Sequence, residues 1–240
     1  MTLAIAEFTG TALLLLLGNG VNANVSLNKT YGNTSGWIVI AFGWAVAVFV
    51  GVYVCGSLGG DGHLNPAVTI ADAIKTNDWS KVPLFIAAQM LGAMTGATLA
   101  WLAYRSHFNE TTDANAMLGV FCNAPAIPNT FNNLMTEIIG TFALVFGAFS
   151  ISGAKINDVG ISLGALNALP VALLVLGIGL SLGGPTGYAI NPARDLGPRI
   201  VHFILPIKNK RDSNWGYSWI PVIGPIIGAV IAALVFKAIH

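Results

Sequence analysis

The placement of charge constrains this chain more than any single motif. Its eleven Lys or Arg and ten Asp or Glu leave charge-free intervals at 8–28, 30–60, 82–104, 114–136, 138–154, 159–193 and 213–236. A helix that crosses a bilayer needs about 20 consecutive, mostly apolar residues. Six of these intervals can supply one. The exception is 114–136, where Asn123, Pro125, Pro128, Asn129, Asn132 and Asn133 interrupt the apolar run, so its first part reads as a loop. The expected spans are 3–21, 37–54, 82–104, 131–152, 159–182 and 219–239, the fourth containing Glu137. With 9% charged residues against about 25% in soluble domains, the chain reads as an all-α membrane protein, one domain over 1–240. No Lys or Arg precedes Lys29, so the first span is expected to be retained rather than cleaved as a signal peptide.

Two of the intervals exceed what a span requires, and each excess ends in the same tripeptide. Residues 56–62 and 183–187 are rich in glycine, with Pro185 in the second, and favour irregular backbone over helix. Then follow Asn65-Pro66-Ala67 and Asn191-Pro192-Ala193. Asn is a good helix N-cap, and Pro is at home in the first helical position, where its missing N–H costs nothing. A short helix is expected after each. From Pro66 to Thr76 it would rise about 16 Å, half of a ~30 Å hydrocarbon core.

The motifs also recur in order. The stretch Ala6-Glu7-Phe8-Thr9-Gly10-Thr11 corresponds to Thr136-Glu137-Ile138-Ile139-Gly140-Thr141, as the Asn-Pro-Ala segments correspond to one another. Repeat 1 covers about 1–108 and repeat 2 about 129–240. Three spans per repeat is an odd number, so the second copy enters the membrane inverted. The two half-helices then meet at the midplane with both N-termini pointing inward. Irregular backbone at that depth is tolerated where it is packed in protein or lines a wet cavity. The expected architecture is six transmembrane helices plus two re-entrant half-helices.

Several function classes find no support. Cys55 and Cys122 are too few for a disulfide framework and have no metal-ligand spacing around them. No nucleotide loop, metal cluster or nucleophile with a paired base is present, so neither an enzyme nor a cofactor or metal is expected. A net charge of +1 suggests no nucleic-acid partner. Gly92, Gly96, Gly224 and Gly228 suit close helix approach, and the aliphatic faces suit lipid.

The segments Gly62-His63-Leu64-Asn65-Pro66-Ala67-Val68-Thr69, Gly184-Pro185-Thr186-Gly187-Tyr188-Ala189-Ile190 and Asn191-Pro192-Ala193-Arg194-Asp195-Leu196-Gly197-Pro198 resemble the aquaporin superfamily. Asp195, directly after Arg194, resembles its glycerol-facilitator branch. The resemblance covers nearly the whole chain. It implies a homotetramer in the cell membrane that conducts glycerol and water. It implies a selectivity filter of Trp44, Gly179, Tyr188 and Arg194, and an inner path lined by His63 with backbone carbonyls from Gly60, through Gly62, to Leu64 and from Gly184 to Tyr188. Trp44 lies 21 residues before Asn65, one more than usual for the family, which implies an inserted residue in 56–62 with Asp61 as the candidate and leaves Phe42 as the alternative to Trp44 in the filter. Tyr188 stands where better-known facilitators carry Phe. The resemblance places both termini in the cytoplasm. The charge count runs against this, with Lys75, Lys81, Lys155 and Lys237 inside and Lys29, Arg105, Lys208, Lys210 and Arg211 outside.

Physical chemistry adds content to that resemblance. Two facing helix N-termini place about half a positive charge each at the midplane, which repels cations and hydronium. Asn65 and Asn191 can each offer an amide N–H to a passing oxygen, fixing its orientation. Arg194 carries a charge that would cost about 2.5–3.5 kcal/mol in lipid, so it is expected to face the lumen. An aromatic corner receives the carbon side of a polyol while the guanidinium donates to its hydroxyls. Gly179 is expected to leave space that a pure water pore would fill with histidine. Broken helices in inverted repeats also build ion-coupled transporters, and a non-conducting scaffold is a third class. Glu7 and Glu137 separate the first two: a transporter would use them as a proton relay, a channel as structural struts accepting from the bent backbone.

Overall fold

The computed structural model describes residues 2–151, 153, 155–156 and 159–240. In chain order its helices are α1 (Leu3–Ser26), α2 (Trp37–Ser57), the short α3 (Pro66–Thr76), α4 (Val82–Glu110), the short α5 (Ala114–Phe121), α6 (Thr130–Ser150), α7 (Leu169–Leu182), the short α8 (Pro192–Ile204) and α9 (Ile220–Ile239). The six long ones, with the 3-10 turn Gly164–Ala168 counted into α7, are long and apolar enough to cross a membrane. Lys155–Ile156 (β1) and Val159–Gly160 (β2) form a two-residue antiparallel ladder between α6 and α7.

Two expectations need correction. The fifth span does not begin at residue 159: it starts with the 3-10 turn at Gly164, whose φ is +61°, and becomes α-helical at Leu169 with Pro170 in its first turn. Glycine in the left-handed region ends the preceding extended segment, and proline in a first turn starts a helix without losing a hydrogen bond. The first part of 114–136 is not simply a loop. The Asp113 carboxylate accepts from the N–H groups of Asn115 and Ala116 and so caps α5, whose Met117, Leu118, Val120 and Phe121 are buried against Phe108, Leu27 and Val201.

The long helices pair in two sets, α1 with α4 and α2, and α6 with α9, while α7 packs on α2 and α6. Small residues let the backbones approach. A Cβ added to Gly96 of α4 would collide with the Ala12 carbonyl of α1, and one added to Gly228 of α9 with the Ile138 carbonyl of α6. Neither obstacle is a flexible side chain, so the helices would have to separate. Gly96→Leu and Gly228→Leu are each expected to lower the thermal midpoint in detergent by more than about 5 °C; a midpoint unchanged in both would reject the close-approach account. The outer face is aliphatic, with Leu84, Leu91, Leu102, Ile139, Leu173 and Leu234 exposed.

The half-helices α3 and α8 lie within this frame, α3 mainly against α9 and α8 mainly against α4. Their C-terminal ends each receive a lysine. Lys237 Nζ donates to the Ile74 carbonyl at 2.9 Å and to Asn77 Oδ1 at 3.0 Å. Lys210 Nζ donates to the carbonyls of His202, Phe203 and Leu205 at 2.6, 2.8 and 2.6 Å. A cation there meets the carbonyls that a helix end leaves unpaired and complements its dipole.

Candidate functional site

The N-termini of α3 and α8 meet. Asn65 and Asn191 each cap their own helix through Oδ1, which accepts from Ala67 N at 2.9 Å and from Ala193 N at 3.0 Å respectively. Each amide also donates across the junction, Asn65 Nδ2 to the Ile190 carbonyl at 2.8 Å and Asn191 Nδ2 to the Leu64 carbonyl at 2.9 Å. An amide nitrogen carries two hydrogens. One on each asparagine is therefore committed to holding the halves together, which leaves the other at the wall of a cavity that both residues border.

The backbone that delivers these asparagines is strained. Leu64, Tyr188 and Ile190 have φ of 50°, 41° and 45°, a left-handed conformation that costs a side-chain-bearing residue about 1–3 kcal/mol unless its surroundings enforce it. Two buried carboxylates do so. Glu7 accepts from His63 N and Leu64 N at 2.8 Å each and from Gln89 Nε2 at 2.9 Å. Glu137 accepts from Thr186 Oγ1 at 2.6 Å, Ala189 N at 3.0 Å and Ile190 N at 2.8 Å. The same device thus occurs once before each half-helix.

Two cavities lie in the bundle and share three lining residues. One, of about 210 Å³, is lined on one side by Leu14, Val48, Val52, Leu144 and Val175 and on the other by Asp61 to Asn65 and by Ala189 to Asn191. The second, of about 220 Å³, lies beyond it towards α5, with Asn22, Trp37, Asn115, Asn123 and Thr186 in its wall. Trp44, Tyr188 and Arg194 belong to both. The Arg194 guanidinium sits over the Trp44 ring, 4.1 Å from its centroid, within the range of a cation–π contact. Trp44 is 4% exposed while Phe42 is 51% exposed on the outer face, so it is Trp44 that reaches the junction.

Gly179 behaves differently from its expectation. A Cβ there would fall 2.8 Å from Tyr188 Cζ and 2.9 Å from Tyr188 Oη. The space beside Gly179 is therefore filled by the tyrosine ring rather than left open. Trp37 braces the same corner, its Nε1 donating to the Gly179 carbonyl at 2.9 Å and its ring meeting Tyr188 edge-on at 5.8 Å. Of the inner stretch, Gly62, His63 and Leu64 border the first cavity together with Asp61, which is tied to Lys81 Nζ at 2.7 Å, while a Cβ added to Gly60 would meet Cys55 and Ala6. His63 lines the first cavity with its Nδ1 3.2 Å from Thr69 Oγ1. That hydroxyl also lies 3.1 Å from the Asn65 carbonyl and accepts from Gln89 Nε2 at 2.9 Å.

Arg194 and Arg199 lie on the same helix in opposite circumstances. Arg199 is fully buried and donates to both Asp195 oxygens and to the carbonyls of Asn123, Ser213 and Asn214. Asp195 also accepts from Asn123 N at 2.7 Å, and Asn123 Nδ2 donates to the Thr186 carbonyl at 2.7 Å. This group fastens α8 to the segment before Tyr188. Arg194 is 7% exposed, and its Nη1, like Tyr188 Oη, is buried without a protein partner. Buried donors are ordinarily paired. These two unpaired polar atoms stand at the shared boundary of the two cavities. Sequence reasoning passes over Arg199, Trp37 and Asn22.

Six membrane-crossing helices around two half-helices that meet end to end at the wall of a cavity define an aquaporin-type, multi-pass transport protein of the cell membrane. The chain belongs to the major intrinsic protein family, whose sequence model matches residues 1–236. It is 54% identical to the "Probable glycerol uptake facilitator protein" of Thermotoga maritima, over 99% of both chains. It is 52% identical to the glycerol uptake facilitator protein of Streptococcus pneumoniae, over 96% of both. Among solved structures it resembles the aquaglyceroporin of Plasmodium falciparum, with a TM-score of 0.84 at 30% identity, covering 98% of this chain and 94% of the other.

Proposed function

We propose that the chain is a passive channel that conducts glycerol and other small neutral solutes, with water, and excludes ions and protons. The observation that carries this reading is the shared boundary of the two cavities, where the indole face of Trp44 and the unpaired Arg194 Nη1 and Tyr188 Oη stand together. A polyol has a carbon side and a hydroxyl side, and such a boundary suits both. The first cavity continues the theme, with an aliphatic wall facing the bent backbone.

In this reading Trp44, Tyr188 and Arg194 are the filter, with Gly179 admitting the Tyr188 ring. Asn65-Pro66-Ala67 and Asn191-Pro192-Ala193 start the half-helices whose positive ends oppose cations. Gly62, His63 and Leu64 line the path below. Glu7, Glu137 and Asp195 hold the backbone in place. The whole chain acts as one channel domain made of repeats of about 1–108 and 129–240, and four copies assemble side by side in the bilayer.

The test is stopped-flow light scattering on proteoliposomes given a glycerol or sorbitol gradient. Glycerol entry well above the lipid background, linear in the gradient with no saturation, is the expected result. Protein that passes water but leaves glycerol at the background rate would reject the reading.

A further inference from the structure

Both indole N–H groups at the filter are held by the protein, and the way Trp44 is held points to a residue outside the filter. Trp44 Nε1 donates to Asn22 Oδ1 at 3.0 Å, a buried bond between α2 and α1. Asn22 Nδ2 donates in turn to the Gly119 carbonyl of α5 at 3.1 Å. That second bond fixes the orientation of the amide, so that its oxygen and not its nitrogen faces the indole. One turn earlier on α1, Gly18 makes room for the ring: a Cβ there would fall 2.3 Å from Trp44 Cζ3 and 2.5 Å from Cη2. Residues four apart share a helix face. Gly18 and Asn22 together form a socket that presses one face of Trp44 against α1 and leaves the other to the Arg194 guanidinium.

We propose that Asn22 is a positioning residue for selectivity, which acts by holding the Trp44 N–H away from the path and the Trp44 face against Arg194. The inference rests on the channel reading above and adds a determinant to it. Trp, like Tyr, could serve this boundary in two ways, as an apolar face or as a hydrogen-bond donor. Asn22 decides for the face. The hydroxyl-facing side of the filter is then left to Arg194 Nη1 and Tyr188 Oη, both buried and without a protein partner. Without the Asn22 acceptor, the indole N–H has to find another, and the nearest open space is the path itself, since both Asn22 and Trp44 border the second cavity. A donor turned into the path holds water as well as it holds a polyol, and it removes the apolar surface that favours the carbon side of glycerol.

The experiment is a double-mutant cycle on Asn22→Leu and Trp44→Phe, read as the ratio of glycerol to water permeability in proteoliposomes. The ratio does not depend on how much protein is incorporated. Asn22→Leu alone is expected to lower it by about tenfold, the scale of one lost hydrogen bond. In the Trp44→Phe background, where no indole N–H remains, the same substitution is expected to change the ratio by less than about twofold. Equal effects in both backgrounds, or an unchanged ratio for Asn22→Leu, would overturn the proposal. If Asn22→Leu does not reach the vesicles, Asn22→Ala takes its place in the same cycle. Failure of the channel reading is separate and visible beforehand, because the unmodified protein would then leave glycerol at background.

Discussion

Arg194→Val is expected to relax polyol selection, with five-carbon polyols entering proteoliposomes about tenfold faster relative to glycerol than with the unmodified protein. The substitution removes the cation stacked on Trp44 and the unpaired Nη1 at the boundary of the two cavities. Hydrogen bonds from charged donors contribute about 1.5–3 kcal/mol, and 1.4 kcal/mol is a factor of ten. Folding should survive, because Arg194 has no ion pair of the kind that Arg199 makes with Asp195. Stopped-flow rates for glycerol and arabitol, taken as a ratio, decide the matter. A ratio unchanged by the substitution would remove Arg194 from the filter. Cation exclusion is expected to persist in part, since the N-termini of α3 and α8 remain.

Glu137→Gln and Glu7→Gln are expected to weaken the fold without altering how glycerol flux is driven. The Glu137 carboxylate uses both oxygens, Oε1 for Thr186 and Ala189 and Oε2 for Ile190. An amide supplies one acceptor and turns a donor towards the other N–H. Each buried polar group left unsatisfied costs about 1–3 kcal/mol, and the left-handed residues at 188 and 190 lose the group that enforces them. A lowered yield and thermal midpoint, with glycerol flux indifferent to an imposed proton gradient, is the anticipated outcome. Glycerol accumulating above its external concentration under that gradient, and ceasing to do so in either variant, would decide instead for coupled transport. A thermal midpoint unaffected by both substitutions would show that the carboxylates are not struts.

The long elements were legible because the signals that set them are local. Charge-free intervals mark the spans since a charge cannot rest in lipid, and α3 begins at Pro66 and ends at Thr76 because cap, proline and apolar run coincide there. The element α5 escaped notice because eight residues give too few turns for a period to show, and its cap, Asp113, looks like any loop acid. The fifth span was drawn too early because residues 159–163 are as apolar as a helix, while the left-handed Gly164 that ends them is one glycine among many. At the site, Arg194 and the asparagines announced themselves through residue type. Which of Phe42 and Trp44 turns inward, the bracing of Gly179 by Trp37 and the role of Asn22 depend on contacts between residues at least 22 positions apart. No window along the chain contains both partners.

The crossed bonds between Asn65 and Ile190 and between Asn191 and Leu64 bear on how the protein is made. Synthesis proceeds from the N-terminus, so α3 exists long before residue 190 does. Until then the Leu64 carbonyl has no donor and the Asn65 amide no acceptor at a depth where lipid supplies neither. The first half cannot reach its final state alone; α3 has to stay hydrated, or shallow, until α8 arrives from the other side. The crossed bonds can therefore form only once both segments are present, and a chain stopped before residue 190 would lack the partners of Asn65 and Leu64 at its centre.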